Sequence, residues 1–319
     1  MFIGVDIGGT NTKVGIVSKL GRVIAIDSFK TRVPREAADL VDEIYKVTDK
    51  LLKANEMTLD NIEGIGVGVP GIVNDNGMVV LSVNLGWKDL DFTSLIEKRF
   101  EKKVVIGNDA NCAMLSEWRF GGAKGAKNAI LITLGTGIGA GIILDGKVFR
   151  GTNGMGGECG HMVIVHNGEP CNCGNRGCWE QYASAKSLAR RTEIVAKENP
   201  SSKLNDVIAS YKKASAHTCF EAAKMGDKVA KDLVDEYVDY VVCGLINLTQ
   251  IFRPEIFIIG GGVAKEGYGF IKLIDTKLNN FITKNNMGAG IQVKRPVLEN
   301  NAGIVGAACL AMNVWWQMN

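Results

Sequence analysis

Four residues in the middle of the chain have the types and spacing of a metal site. His161, Cys171, Cys173 and Cys178 form the pattern H-x9-C-x-C-x4-C, with two glycines between the last two cysteines. Three thiolates and one imidazole are the closed tetrahedral donor set of a structural zinc site. Buried free cysteines are the alternative interpretation. Because three cysteines fall within eight residues of a polar stretch, the sequence predicts zinc.

Three carboxylates could contact a polar substrate. Asp109 lies in the segment 108–111, Asn-Asp-Ala-Asn, which joins a predicted strand to a predicted helix. An Asp at that point can cap the helix, or it can face a ligand as a general base where strands end in an open α/β sheet. The residues alone leave both roles open. Glu158 and Glu180 flank the predicted zinc site, and carboxylates gathered there suit the hydroxyl groups of a sugar.

Two glycine-rich turns follow apolar strands, and either could bind phosphate. Residues 6–13 read Asp-Ile-Gly-Gly-Thr-Asn-Thr-Lys, and residues 134–139 read Leu-Gly-Thr-Gly-Ile-Gly. Backbone N–H groups in such turns can surround a phosphate because no Cβ blocks the approach. Each turn alone could be only a tight turn, but one in each half favours phosphate, and the polar side chains of the first suit a metal–phosphate complex. A strand, not a helix, is predicted after residue 139, which excludes a Rossmann site.

The elements that position these residues follow from the apolar pattern. Apolar runs predict strands at 2–7, 13–17, 23–29, 62–69, 104–106, 129–134, 142–144, 147–149, 255–259 and 291–297, the first three as an antiparallel meander. Helical spacing predicts helices at 39–54, 110–120, 180–199, 203–213, 227–252, 271–283 and 303–316. Each half opens with a strand, a glycine-rich turn and a second strand. We therefore expect two halves facing each other across a cleft.

The composition narrows the class of protein. The 319 residues are 46% hydrophobic and 22% charged, which excludes a disordered chain. A net charge of +3 gives no basic field for nucleic-acid binding. The first residues lack the basic region of a signal peptide, so we expect a cytoplasmic protein with neither membrane nor nucleic-acid partners, its cysteines being thiols or metal ligands. Five cysteines outside the metal pattern are expected in the core: Cys112, Cys159, Cys219, Cys243 and Cys309.

Taken together, eight motifs carry a family resemblance. They are residues 6–13, Gly-Val-Pro-Gly at 68–71, Val-Asn-Leu-Gly-Trp at 83–87, 108–111, 134–139, Gly-Glu-Cys-Gly-His at 157–161, Cys-Asn-Cys-Gly-Asn-Arg-Gly-Cys-Trp-Glu at 171–180, and Ile-Gly-Gly-Gly at 259–262. Over essentially its whole length the chain resembles the bacterial ROK kinases (repressors, open reading frames, kinases). Residues 83–87 look most like those of the glucokinases among them.

The resemblance implies an α/β fold of two domains, actin/hexokinase-like (ribonuclease H-like), with a cleft between them. Residues 1–109 plus 304–319 would form the small domain, and residues 110–303 the large domain with the zinc site. The implied reaction is ATP-dependent phosphorylation of glucose at the 6-hydroxyl, giving glucose 6-phosphate. The implied cofactors are ATP, Mg²⁺ with the nucleotide and structural Zn²⁺, and the implied assembly is a homodimer or homotetramer.

The resemblance also assigns roles to residues. Asp109 is the base that takes the proton of the sugar 6-hydroxyl, and His161 is both zinc ligand and sugar contact. The sugar contacts are Gly71, Asn84, Asn108, Asp109, Glu158, His161 and Glu180. The phosphates and Mg²⁺ are held by Asp6, Gly8, Gly9, Thr10, Asn11, Lys13, Thr136 and Gly137, and the adenosine lies near Gly261 and Gly262.

Two alternatives and one departure accompany this interpretation. The enzyme could phosphorylate another hexose or an N-acetylhexosamine such as N-acetylmannosamine, or the protein could be a sugar-sensing regulator without catalysis. The intact Asp109, and a chain that starts at its first strand without a DNA-binding segment, argue against a regulator. Gly107 stands where many relatives have Glu; because it precedes the catalytic pair, we expect unchanged chemistry.

Overall fold

The computed structural model describes residues 1–266 and 268–312. The strands are β1 Phe2–Ile7, β2 Asn11–Val17, β3 Val23–Lys30, β4 Gly64–Val69, β5 Ile72–Val73, β6 Val79–Ser82, β7 Trp87–Leu90, β8 Val104–Asn108, β9 Ala129–Leu134, β10 Ile138–Leu144, β11 Lys147–Val148, β12 Ile256–Gly260 and β13 Gln292–Lys294. The helices are α1 Ala37–Ala54, α2 Phe92–Phe100, α3 Asp109–Phe120, α4 Glu180–Ala183, α5 Ala185–Glu198, α6 Leu204–Tyr211, α7 Ala216–Lys224, α8 Lys228–Phe252, α9 Tyr268–Lys284 and α10 Ala302–Ala311. Within this part of the chain, no helix combines the length and apolarity needed to span a bilayer.

The first sheet has the strand order β3-β2-β1-β4-β8. Strand β2 runs antiparallel to both β1 and β3, which confirms the predicted meander. Strand β4 runs parallel to β1 and to β8. Parallel strands end at the same edge of a sheet, so the segments that follow β1, β4 and β8 emerge side by side. That edge is where an open α/β sheet binds its ligands.

Helix α10 lies directly on the first sheet and against α3. It is apolar on every side and buried from Ile304 to Leu310. A Cβ on Gly66 of β4 would overlap the backbone of Ala307, and one on Gly306 would overlap the backbone of Cys112 in α3. These close approaches of main chain to main chain explain why glycines interrupt otherwise β-branched strands and an apolar helix.

The second sheet has the order β11-β10-β9-β12-β13, and β5, β6 and β7 form a small third sheet. Strands β10 and β11 form a hairpin through Asp145 and Gly146, and both of these residues have positive φ, +49° and +74°. Such a turn matches the twist of the strands it joins.

The chain divides into two compact units. The first contains Met1–Ala129, Gly141–Gly157 and the described residues after Arg295, and the second contains Ile130–Ala140 and Glu158–Arg295. The domain boundary predicted at residue 109 would separate α3 from α10. In the structure these two helices share one buried apolar cluster within the first unit, which explains why the division falls later in the chain.

Several elements differ from their sequence prediction. The helix predicted at 180–199 is two helices, because Ser184 is extended (φ −82°, ψ 162°) and caps α5. The glycine-rich residues 138–141 belong to strand β10 and not to the preceding turn. Cys243 is half-buried, whereas the other four cysteines predicted for the core are buried. The elements that the sequence did not predict are β5, β6, β7, α2 and α7, and residues 313–316 of the last predicted helix lie outside the described residues.

Candidate active site and metal centre

The predicted metal ligands come together in the second unit. One side-chain atom from each of His161, Cys171, Cys173 and Cys178 lies within 4.8 Å of the others. The Sγ of Cys171 is 3.6 Å from Nδ1 of His161, and the Sγ atoms of Cys173 and Cys178 are 3.6 Å apart. Tetrahedral zinc, with bonds of about 2.0–2.3 Å, places its ligand atoms at such separations. The donor set therefore fits zinc, and Nδ1 is the ring nitrogen that faces the thiols.

Tight turns and one anchor hold this cluster. Cys178 pairs with Val163 in an isolated antiparallel bridge. The next residue, Trp179, is fully buried, and its indole N–H donates to the carbonyl of Tyr240 in α8 at 2.8 Å. A Cβ on Gly244 would overlap the indole ring, so this glycine makes room for Trp179. Burial of Trp179 thus fixes the cluster, and Glu180 beside it, onto helix α8.

Glu180 connects the metal cluster to the second glycine-rich turn. Its Oε1 lies 3.6 Å from Sγ of Cys171. Its Oε2 accepts a hydrogen bond from the backbone N–H of Ile138 at 3.3 Å. A Cβ on Gly137 would overlap Oε2, so the carboxylate lies directly against the turn. One side chain proposed as a sugar contact therefore also contacts a segment proposed to hold phosphate.

The turns after β9 and β12 lie next to each other in the second unit. Thr136 is exposed, and the N–H of Gly135 donates to the carbonyl of Gly137 at 3.0 Å. Gly261 has φ +88°, and a Cβ there would overlap the backbone of Leu134 at the end of β9. Only glycine adopts this conformation at this contact without strain. Thr136, Gly261 and Gly262 are exposed, and Gly135 and Gly137 are half-buried.

Glu158 is exposed and directly precedes the turn of 3₁₀ helix that carries His161. The backbone N–H of His161 donates to the carbonyl of Glu158 at 3.0 Å. The short turn therefore keeps Glu158 and His161 three residues apart on one helical turn.

In the first unit, two adjacent residues at the junction of β8 and α3 have different roles. Asn108 is the N-cap of α3: its Oδ1 accepts from the N–H of Asn111 at 3.1 Å, and its Nδ2 donates to the carbonyl of Gly71 at 3.0 Å. Asp109 is the first helical residue, and its Oδ1 accepts from the N–H of Ala110 at 2.9 Å. The capping role that the sequence left open for Asp109 is therefore filled by Asn108.

Gly71 is fixed by its backbone. It has φ +123°, and a Cβ would overlap the carbonyl of Leu81 in β6. Asn84 follows β6 in an exposed turn, and its Cβ is 3.7 Å from where a Cβ on Gly9 would lie. This contact places Asn84 beside the turn between β1 and β2.

Asp6 and Lys13 occupy paired positions on β1 and β2. Burial raises the pKa of the Asp6 carboxyl, and the nearby Lys13 ammonium offsets part of that rise. The Nζ of Lys13 donates to the carbonyl of Asn300 at 3.0 Å. A Cβ on Gly303, in the first turn of α10, would overlap the Asp6 carboxylate. Sequence reasoning missed Gly303, and a glycine at a helix start was its only visible signal.

Each unit gathers its own predicted residues. The first brings Asp6, Gly8, Gly9, Thr10, Asn11, Lys13, Gly71, Asn84, Asn108 and Asp109 to one edge of the first sheet. The second brings together Thr136, Gly137, Glu158, His161, Glu180, Gly261 and Gly262 around the metal cluster and the two turns.

Comparison with known proteins gives the class. Residues 2–314 match the family model of the ROK family. The chain is 34% identical to a glucokinase of Halalkalibacterium halodurans (97% of this chain, 94% of that protein) and 36% identical to one of Thermotoga maritima (97% and 96%). The crystal structure of a ROK family glucokinase from Streptomyces griseus, in complex with glucose and AMPPNP, is similar with a TM-score of 0.83, 35% identity and coverage of 98% and 99%.

The protein therefore belongs to the ROK family. Its fold is the predicted α/β fold of the actin/hexokinase-like class.

Proposed function

We propose that this protein is a glucokinase, which transfers the γ-phosphoryl group of ATP to the 6-hydroxyl of glucose. The observation that carries the proposal is the division of roles at the end of β8. Asn108 caps α3 and holds Gly71, so Asp109 stands at the sheet edge without the N-cap role. The relatives named above, glucokinases similar over nearly their whole length, support glucose as the acceptor and ATP as the donor.

In this reaction Asp109 accepts the proton of the 6-hydroxyl as the oxygen attacks phosphorus. The transition state of phosphoryl transfer is loose, so proton transfer can come late and an ordinary carboxylate serves as the base. Asn108 and Gly71 bind sugar hydroxyls through the amide and the backbone that their mutual hydrogen bond orients. Asn84, beside Gly9, supplies a further amide.

The nucleotide phosphates are bound by backbone N–H groups and by two positive charges, the Mg²⁺ ion and the Lys13 ammonium. Gly9 and Thr10 of the β1–β2 turn, with Thr136 and Gly137, offer N–H groups to the phosphates, and Asn11 offers its side-chain amide. The N–H of Gly8 shapes the turn by donating to the carbonyl of Asn11 at 3.0 Å. Asp6 would hold Mg²⁺, a cation that proteins bind through one or two carboxylates together with substrate phosphates. That ion would neutralise charge on the phosphates, and Lys13 adds a second positive charge. Gly261 and Gly262 lie near the adenosine, since no large side chain blocks them.

The metal centre takes a structural role. Zn²⁺ held by His161, Cys171, Cys173 and Cys178 would orient the imidazole through Nδ1, and the second ring nitrogen then donates to a sugar hydroxyl. Glu158 and Glu180 accept from other hydroxyls. The family resemblance supports a cytoplasmic homodimer or homotetramer.

A panel of sugars assayed with ATP tests the proposal. Glucose should give a kcat/KM at least tenfold above that of mannose or N-acetylmannosamine, a margin of the size that one unpaired polar group produces. Higher turnover of N-acetylmannosamine would assign a different sugar kinase. Glucose binding without turnover would instead favour a regulator.

The variant Asp109→Asn tests the role of the base. The amide keeps the shape and removes the proton acceptor, so kcat should fall by about 10²–10⁴-fold while the glucose Kd stays nearly constant. Steady-state kinetics and calorimetric glucose titration measure the two quantities. A loss of less than about tenfold would show that Asp109 is not the general base.

A further inference from the structure

We propose that Glu180 makes nucleotide binding depend on sugar binding. The inference rests on the proposed function and on a single juxtaposition: the Glu180 carboxylate lies against Gly137 and accepts the N–H of Ile138. Gly137 belongs to the turn that is proposed to hold phosphate, and Ile138, which follows it directly, is the first residue of β10. Without sugar, the carboxylate therefore places a negative charge at this turn and occupies the backbone donor next to it.

Electrostatics sets the direction of the effect. A carboxylate within about 5 Å of a phosphate repels it by an amount that corresponds to roughly tenfold in affinity when the effective dielectric constant lies between that of a protein surface and that of water. The N–H of Ile138, already bonded to Oε2, is not available to the phosphate. Sugar-free protein should therefore bind nucleotide more weakly than the turn alone would allow.

Sugar binding relieves both effects. A sugar hydroxyl that donates to Glu180 disperses the charge of the carboxylate and competes with the N–H of Ile138 for Oε2. That N–H can then donate to phosphate, so glucose tightens nucleotide binding. Coupling between two ligands is reciprocal, so nucleotide must tighten glucose binding by the same factor. The Oε1 atom lies 3.6 Å from Sγ of Cys171, so the carboxylate lies between the metal cluster and the turn, where one side chain can respond to both ligands.

The test is a titration of AMPPNP with Mg²⁺ by calorimetry, with and without saturating glucose. In the wild-type protein, glucose should lower the AMPPNP Kd by about tenfold. In Glu180→Gln, the sugar-free Kd should already be about tenfold lower than in the wild type, and glucose should change it by less than twofold. This direction is diagnostic, because structural damage at the turn would weaken nucleotide binding.

A matched control is Glu158→Gln, since Glu158 is also a proposed sugar contact but precedes His161 and not the phosphate turn. It should raise the glucose KM and leave the sugar-free AMPPNP Kd within twofold of wild type. If Glu180→Gln does not fold, Glu180→Asp withdraws the carboxylate by one methylene and should also tighten sugar-free binding.

An unchanged or weaker sugar-free Kd in the Glu180 variant would overturn the inference. Failure of the proposed function would look different, because the wild-type protein would then show no glucose phosphorylation with ATP.

Discussion

At the scale of single residues, adjacent side chains divide the structural and the chemical work. Asn108 takes the helix cap and Asp109 the first helical position, so the carboxylate is held by a rigid strand–helix junction that it does not itself have to stabilise. A site on such a junction is positioned more precisely than one on a loop. Asp6, in contrast, lies where the fold disfavours its charged form, because burial raises the pKa of its carboxyl.

Replacement of Asp6 should therefore stabilise the protein while it removes activity. The pKa of Asp6 is raised in the folded protein, so the folded state binds the proton more tightly than the unfolded state, and stability falls as pH rises through that raised pKa. Asp6→Asn removes this loss. We expect the free energy of unfolding at pH 7 to rise by about 1 kcal/mol, with the difference vanishing toward pH 4.

Urea unfolding at the two pH values measures this effect, and kinase assays should show turnover reduced by at least about a hundredfold, because a ligand of Mg²⁺ is lost. A variant less stable than wild type at pH 7 would show that the Lys13 ammonium outweighs the burial of Asp6.

The variant His161→Cys separates the two roles proposed for the ring nitrogens of His161, zinc ligation and donation to the sugar. Because Nδ1 faces Cys171, a thiolate can replace it as zinc ligand while the donor to the sugar is lost. Zinc content should stay near one per chain, and the glucose KM should rise about ten- to a hundredfold, since an unpaired hydroxyl costs about 1–3 kcal/mol. Metal analysis and steady-state kinetics test both. Normal zinc with an unchanged KM would mean that His161 does not contact the sugar.

Residue types alone predicted the metal ligands, because three thiols and an imidazole at short spacing in a polar stretch match a zinc site far better than they match core packing. They could not settle the role of Asp109, since the choice of cap depends on one residue of helix register. Nor could they predict Glu117, a fully buried carboxylate that accepts the N–H groups of Gly122, Val297 and Leu298. Its partners lie up to 181 residues away in the sequence, so no local pattern marks it.

At the scale of elements, strong periodicity gave the long helices and the buried strands, with ends displaced by a few residues. The short strands β5, β6 and β7 were missed because two to four residues carry no period. The break at Ser184 was missed because 180–199 keeps a helical composition across it. Helix α4 ends there because Ser184 is the N-cap of α5. The side-chain oxygen of Ser184 accepts the N–H of Ser187 at 3.1 Å.

Helix α8 and the metal cluster meet at Gly244. Gly244→Ala places a Cβ in the indole ring of Trp179, and such overpacking costs about 1–3 kcal/mol. The gain in helix propensity is at most about 1 kcal/mol, so the variant should be less stable. Because Trp179 precedes Glu180, the glucose KM should rise as well.

Thermal unfolding and kinetics test this, with Gly269→Ala as the control. Gly269 also lies in a helix, α9, but a Cβ there meets no atom of the described residues within 4 Å. The control should be as stable as wild type or more so, with unchanged KM. Equal thermal stability and equal glucose KM in the two variants would show that Trp179 can move without loss of folding free energy.

At the scale of the whole molecule, the high glycine content follows from close packing of the main chain. The chain has 39 glycines, and those at 66, 137, 244, 261, 303 and 306 are places where another backbone or a side chain occupies the position of a Cβ. Composition alone cannot say which glycines make such close approaches. The fold thus brings main chain together both in its core and at the turns proposed for nucleotide.

The metal links the local cluster to global stability. Ligand binding to the folded state alone stabilises a protein by mass action, and structural zinc sites bind with about 10–16 kcal/mol of apparent free energy. Net stabilities of folded proteins are only about 5–15 kcal/mol. Removal of zinc with EDTA should therefore lower the midpoint of thermal unfolding by about 5 °C or more, and added zinc, but not magnesium, should restore it. The variant Cys173→Ser should start near the lower midpoint and respond little to the chelator. A wild-type midpoint insensitive to EDTA, with zinc shown to be gone by metal analysis, would mean that the four ligands hold their loop without a metal.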